Sequence, residues 1–354
     1  MSLETHLKDR IAASGPLTVA DYMAEALLHP DHGYYTTRTP FGAAGDFTTA
    51  PEISQMFGEL IGLCLAQSWM DQGAPARFTL AELGPGRGTL VADALRATAQ
   101  VPGFGAAADI VLVEASSQLR KVQADTLDDY DVRWVDGAAD LPSDAPLWCV
   151  ANEFFDALPI RQFVRDADGW RERCIGAQDG VLSFGLAPAG EQPQLNHRLE
   201  DTQDGDVGET CPAAHAILSE LGHRIDDRGG AALIIDYGDW RALGDTLQAV
   251  RGHERADLLD APGTADITAH VDFEALAQAA APTAHTRLTP QGVFLERLGI
   301  TARAQALAKP LEGAALETHV AAHRRLTHPA EMGNLFKVLG LFPATAAPPP
   351  GLST

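Results

Sequence analysis

A short apolar run, Phe78–Leu83, breaks into Gly84-Pro85-Gly86-Arg87-Gly88, and helix spacing resumes at once through Leu90, Val91, Ala94 and Leu95. No other feature restricts the fold as much. Glycine reaches backbone angles closed to other residues and puts no side chain between the backbone and a ligand. Three glycines at alternate positions, set between a strand and a helix, therefore define a tight turn that a ligand can approach closely. Further apolar runs follow at 109–113, 132–135 and 147–151, with helix spacing over 117–127 between the first two. Strands alternating with helices at this pitch build a mostly parallel sheet with helices on both faces. The strands are apolar throughout, as burial on both faces requires. The expected fold class is α/β and Rossmann-like.

The rest of the chain divides around that core. Residues 1–75 read as a helical N-terminal extension. Thr18 and Asp21 have the spacing of a capping box ahead of Val19, Tyr22, Met23, Ala26 and Leu27. Pro51 suits the first position of a helix carrying Ile53, Met56, Phe57, Leu60, Ile61 and Cys64 on one face. Residues 76–159 and 211–285 form the expected core, with a strand at 231–235 ending in Asp236-Tyr237-Gly238. Residues 160–210 read as an inserted antiparallel region, 286–343 as a C-terminal helical region, and the proline-rich 344–354 as a disordered tail.

Composition removes several function classes. The chain carries 26 Lys and Arg against 48 Asp and Glu, a formal charge of −22, and no basic cluster of the kind that binds nucleic acid or anionic lipid. No apolar run is long enough to span a bilayer, and no basic-then-apolar leader opens the sequence. Cys64, Cys149, Cys174 and Cys211 are scattered, without metal-binding spacing. The expectation is a cytoplasmic protein with free thiols, no metal and no membrane insertion. No GxSxG elbow is present, so a serine hydrolase has no anchor.

Two acids flank the glycine turn. A dinucleotide fingerprint would place a third glycine at position 89, where Thr89 stands. A GxGxG turn preceded by Glu82 suits S-adenosylmethionine instead, whose ammonium group a carboxylate attracts. Glu114 ends the next strand, where an acid can accept hydrogen bonds from both ribose hydroxyls of a ligand lying beyond the strand ends. Asp136, past the third strand, is a candidate for the adenine amino group; an exposed loop acid is its alternative.

Five further segments extend the pattern: GAAGDFTTAPEIS at 42–54, NEFFDALP at 152–159, Asp236-Tyr237-Gly238, DITAHVDF at 266–273 and MGNLFK at 332–337. Together with the glycine turn they resemble the MidA family of S-adenosylmethionine-dependent methyltransferases, over about residues 5–343. That family includes the mitochondrial arginine methyltransferase that assists assembly of respiratory complex I. The resemblance implies a class I methyltransferase core, S-adenosyl-L-methionine as cofactor, and a protein substrate with an acceptor arginine, a complex I subunit being one such partner. It places Gly84, Gly86 and Gly88 against the cofactor and Glu114 at its ribose, with Gly45 and Asp46 in a loop that closes over the pocket.

An arginine acceptor is a weak nucleophile because its pKa exceeds about 12. Carboxylates can grip the guanidinium in bidentate fashion and aim one nitrogen. Glu153 and Asp156, three apart after the fourth strand, would share one face of a helical turn and are the candidates; helix capping and a surface pair are the alternative. Asp236 either lines the acceptor channel or starts a turn. His270, between Asp266 and Asp272, is a candidate for proton removal, against a capping or packed histidine. Two other functions compete: a non-catalytic assembly factor that retains a cofactor pocket, and a nicotinamide-dependent oxidoreductase.

Overall fold

The computed structural model describes residues 2–37, 48–167 and 169–354. In chain order its main elements are helices α1 (Leu3–Ser14), α2 (Val19–Leu28) and α3 (Gln55–Asp71), strand β1 (Phe78–Leu83), helix α4 (Thr89–Thr98), strand β2 (Ala108–Val113), helix α5 (Ser117–Thr126), strands β3 (Val132–Val135), β4 (Leu147–Asn152), β5 (Arg161–Asp166), β6 (Gly169–Gln178), β7 (Val181–Leu186) and β8 (Val207–Thr210), helix α6 (Pro212–Arg228), strand β9 (Gly230–Asp239), helix α7 (Gly313–Thr327) and strand β10 (Phe336–Phe342). They form two compact units. The core unit comprises 48–155, 215–240 and 273–354; the accessory unit comprises 1–47, 156–214 and 241–272.

The core unit is built on a sheet with strand order β3-β2-β1-β4-β9-β10. Its first five strands run parallel. From β1 the chain steps outward through β2 and β3, then returns to lay β4 on the other side of β1. That reversal is a topological switch point, the place where open parallel sheets bind ligands. All six residues of β1 and all six of β4 are buried. Phe78, Leu80, Leu112, Trp148, Val150, Leu233 and Ile235 share one face and pack with Phe57, Ile61 and Trp69 of α3 and Leu90, Val91 and Leu95 of α4. Helix α3 lies unusually close to α4. A Cβ at Gly58 would come within 2.7 Å of Asp93 Cβ, and one at Gly62 within 2.6 Å of Ala94 Cα.

The accessory unit is antiparallel, with β6 between the short strand Leu17–Thr18 and β5, β5 next to β8, and β7 on β6. Helices α1 and α2 supply Leu7, Val19, Tyr22, Met23 and Leu27 to a core shared with Ile160, Ile175, Leu182 and Ile267. The capping box forms. Thr18 Oγ1 accepts the Asp21 amide at 3.0 Å, and Asp21 Oδ2 accepts the Thr18 amide at 3.1 Å.

Three boundary expectations need correction. Residues 1–75 do not act as one extension: α1 and α2 belong to the accessory unit and α3 to the core unit, because α3 buries its apolar length against α4. Residues 241–272 fall in the accessory unit rather than the core. The C-terminal region is not helical throughout, since β10 pairs antiparallel with β9 from Ala232↔Leu341 to Tyr237↔Phe336. A fully apolar strand cannot be told from a buried helix by period alone.

The expected disordered tail is also corrected. Leu352 is 9% exposed and sits in the core cluster with Phe294 and Val338. The Ser353 carbonyl accepts the Arg287 amide at 2.7 Å. Cys64 Sγ donates to the Pro350 carbonyl at 3.4 Å and Arg297 Nη1 to the Gly351 carbonyl at 3.1 Å, so several contacts hold a stretch whose proline content suggests disorder. Leu352→Ala is expected to lower unfolding free energy by about 2–3 kcal/mol, the lower part of the range for a buried leucine. Denaturant titration measures it; an unchanged midpoint would mean that the tail is not docked.

Candidate active site

The C-terminal rim of the parallel strands collects most of the candidate residues. After β1 the chain enters the glycine turn with Gly84, Gly86 and Gly88 at φ +61°, +54° and +82°. These left-handed angles favour glycine. A side chain at Gly84 would also collide with the Phe154 ring, at 2.7 Å. Gly88 then becomes the N-cap of α4.

Glu82 stands on β1 two residues before the first glycine, 4% exposed. It accepts the Val91 amide in the first turn of α4, yet burial dominates and pushes its carboxyl up to about 8. Its Oε2 is a buried oxygen without a hydrogen-bond partner. Asn152 Oδ1, at the end of the neighbouring strand β4, is another. Two orphaned acceptors at one rim call for a ligand that donates hydrogen bonds.

Glu114 follows β2. Its Oε1 accepts the Ser116 amide at 2.7 Å and its Oε2 accepts Gln123 Nε2 at 3.1 Å. Burial raises its pKa, and those two donors and Arg120 oppose the rise. The Ala115 amide also donates to it; a carboxylate has about four acceptor positions, so some capacity is left. Gln123, on α5 and fully buried, is a residue of this rim that the sequence motifs do not include. The same Nε2 donates to the Gly86 carbonyl at 2.8 Å, while its Oε1 accepts Trp134 Nε1 at 2.8 Å. One amide thus ties the glycine turn to the acid that follows β2. A buried glutamine in a helix carries no sequence motif, so nothing marked it.

The PEIS and NEFF segments meet this rim as well. Glu52 accepts Thr89 Oγ1 at 2.6 Å and Arg87 Nη1 at 3.2 Å, bracing the start of α4. Glu153 Oε1 accepts the Ala50 amide at 3.0 Å and Asn152 Nδ2 at 3.2 Å. Glu153 has φ +52°, a left-handed angle that a non-glycine residue holds only when its surroundings enforce it. This overturns the expected helical turn over 153–156: the backbone is not helical there, and Glu153 and Asp156 fall in different units.

The remaining candidates are placed as follows. Asp236 is fully buried, and its two oxygens accept the Phe155 amide at 3.0 Å and the Tyr237 amide at 2.9 Å. It shapes the NEFF loop. Asp136 is exposed and paired with Arg120. His270 is exposed in the accessory unit. The acids expected beside it are engaged elsewhere: Asp266 accepts the Tyr35 hydroxyl at 2.7 Å, and Asp272 accepts the Ala242 amide at 3.2 Å and lies 3.7 Å from Arg198. Burial, then Asp266, pushes the Tyr35 hydroxyl well above its ordinary pKa. Asp156 is buried in the accessory unit, and its carbonyl accepts the Ala269 amide at 2.9 Å. Gly45 and Asp46 lie outside the described residues.

A switch-point glycine turn, an acid before it and an acid ending the next strand define a class I methyltransferase. Residues 60–291 match a family of S-adenosyl-L-methionine-dependent methyltransferases. The chain is 38% identical to the mouse (Mus musculus) protein arginine methyltransferase NDUFAF7, mitochondrial, with 96% of this chain and 84% of that protein covered. The Homo sapiens NDUFAF7 is 37% identical, at 96% and 82% coverage. A COG1565 superfamily member from Burkholderia thailandensis, solved bound to S-adenosyl-homocysteine, superposes with a TM-score of 0.84 at 33% identity, covering 96% of this chain and 91% of that one. The chain belongs to this family: it is an S-adenosyl-L-methionine-dependent methyltransferase. The family and cofactor expected from the motifs are the ones found. The cytoplasmic location is not, since these NDUFAF7 relatives are named mitochondrial proteins.

Gln123→Leu keeps the buried volume but removes the donor shared by Gly86 and Glu114. Calorimetry with S-adenosyl-homocysteine is expected to show affinity reduced by about tenfold or more, the scale of a lost hydrogen bond to a charged group. Wild-type affinity in this variant would show that the amide does not organise the site.

Proposed function

We propose that the chain is a protein arginine N-methyltransferase whose substrate is a subunit of respiratory complex I. The observation that carries this reading is the rim itself. The strand ends present acids rather than a nucleophile or a metal set, and Glu153 is held in a strained conformation among them. The full-length likeness to proteins named arginine methyltransferases supports the acceptor.

The cofactor brings an activated methyl group on a sulfonium and its own leaving group. The chain's residues then have to bind and orient. The glycine turn admits the cofactor's backbone-contacting edge. Glu82 takes its ammonium group, filling the buried oxygen that otherwise lacks a donor. Glu114, pinned by Ser116 and Gln123, takes the ribose hydroxyls, and Asp136 is assigned to the adenine. Glu153 grips the acceptor guanidinium, holding its positive charge away from the attacking nitrogen. Asp236 acts indirectly, by fixing the amides of Phe155 and Tyr237.

Two experiments test these roles. Glu153→Gln is expected to abolish methyl transfer to a complex I subunit while S-adenosyl-homocysteine still binds. Mass spectrometry of the labelled substrate should place the methyl on arginine in the wild type. Methyl groups only on lysine or on small molecules would refute the acceptor.

The second experiment reads Glu82 by pH. In the ligand-free protein its carboxyl titrates near 8, against an ordinary 4.5. Below the ordinary value it is neutral in folded and unfolded chains alike. As pH rises from there to about 8 the unfolded chain ionises first, so the stability the neutral form contributes is lost. A bound ammonium reverses the preference and favours the carboxylate. Cofactor affinity should therefore rise with pH across this window, with a proton released on binding. Calorimetry in buffers of different ionisation heat detects that proton, and Glu82→Gln should remove both effects.

A further inference from the structure

We infer that His6, Glu25 and His29 form a binding site for a divalent transition-metal ion of the zinc type. His6 lies on the second turn of α1, Glu25 in the last turn of α2, and His29 caps the C-terminus of α2. One ligand atom from each lies within 4.8 Å of the other two. All three side chains are half-buried, so an ion can reach them while the helices hold their positions.

Two imidazoles and a carboxylate are a donor set that suits zinc and leaves a fourth position for water. The surroundings orient the carboxylate. Arg10 Nη1 donates to Glu25 Oε1 at 2.7 Å, which leaves Oε2 facing His6 Nε2 at 3.7 Å. An outer partner that fixes one oxygen and presents the other is the usual arrangement around a ligating carboxylate. Arg10 also reaches Asp21 Oδ1 at 3.1 Å. Asp21 and Glu25 together outweigh its single charge, so the locality keeps one net negative charge for a cation.

The histidine rings are already gathered. His29 stands 5.1 Å edge-on from His6 and is stacked on His32, also at 5.1 Å. His29 Nδ1 accepts the Asp31 amide at 3.1 Å. Ligation through Nε2 shifts the ring proton to Nδ1 and gives up that one exposed bond, whose donor turns to water. The ion would join the two N-terminal helices of the accessory unit, far in sequence from every residue assigned to the reaction. No local spacing motif marks it, because its ligands come from two helices.

The test uses the full chain stripped with a chelator and titrated with Zn²⁺ by calorimetry and with Co²⁺ by visible absorption. One equivalent should bind saturably, Co²⁺ should show the intense bands of a four-coordinate site, and Zn²⁺ should raise the melting temperature. The double variant His6→Ala/His29→Ala should lose the bands and bind at least about tenfold more weakly, with metal-free methyltransferase activity unchanged. Glu25→Gln, which retains an oxygen for Arg10 but not the charge, should also weaken binding. Absence of saturable binding, or undiminished binding in the double variant through the free cysteines, would overturn the proposal.

Discussion

The side-chain amide of Gln123 is the contact that joins the glycine turn to Glu114 and to β3. Its nitrogen is shared between the Gly86 carbonyl and the Glu114 carboxylate, and its oxygen takes the Trp134 indole. A glycine turn is flexible by construction, and the entropy that flexibility carries opposes a fixed ligand cradle. Binding the turn to a buried amide removes that freedom. The same amide fixes Glu114, so the turn and the acid after β2 share one reference point. A fully satisfied buried polar group of this kind specifies a single geometry.

Around that point the family segments brace one another. Glu52 holds the start of α4 through Thr89 and Arg87, and Glu153 holds the Ala50 amide just before it. The PEIS segment is therefore connected to both the glycine turn and the NEFF loop. Its specificity as a motif follows from that double engagement. Glu153 in a left-handed conformation and Glu82 neutral at pH 7 are both locally unfavourable. Such costs persist where the surrounding structure over-determines them.

Much of this was readable in the sequence because period and turn chemistry act locally. The alternation of apolar runs and helical spacing located β1 to β4 and β9, and the Thr18–Asp21 box located α2. Glu82, the glycines and Glu114 stood in positions that strand ends dictate. What escaped notice depends on distant partners. β10 is too uniformly apolar to be told from a helix. Leu352 gains its order by joining a core cluster built from residues far from it in sequence. Gln123 is a polar residue on a helix whose partners lie on the glycine turn, just past one strand and within another. Glu153 and Asp156 were linked by a helical spacing that the left-handed backbone at Glu153 does not allow.

The interleaving of the two units sets a condition on biosynthesis. The chain leaves and re-enters the core unit repeatedly, so neither unit is a contiguous stretch that could be expressed alone. Strand β9 ends at Asp239, and the strand that covers its open side begins only at Phe336. Until β10 has been made, residues 232–237 of β9 lack that antiparallel partner. Such an edge can recruit the wrong strand. That exposure lasts while the residues between Asp239 and Phe336 are being synthesised.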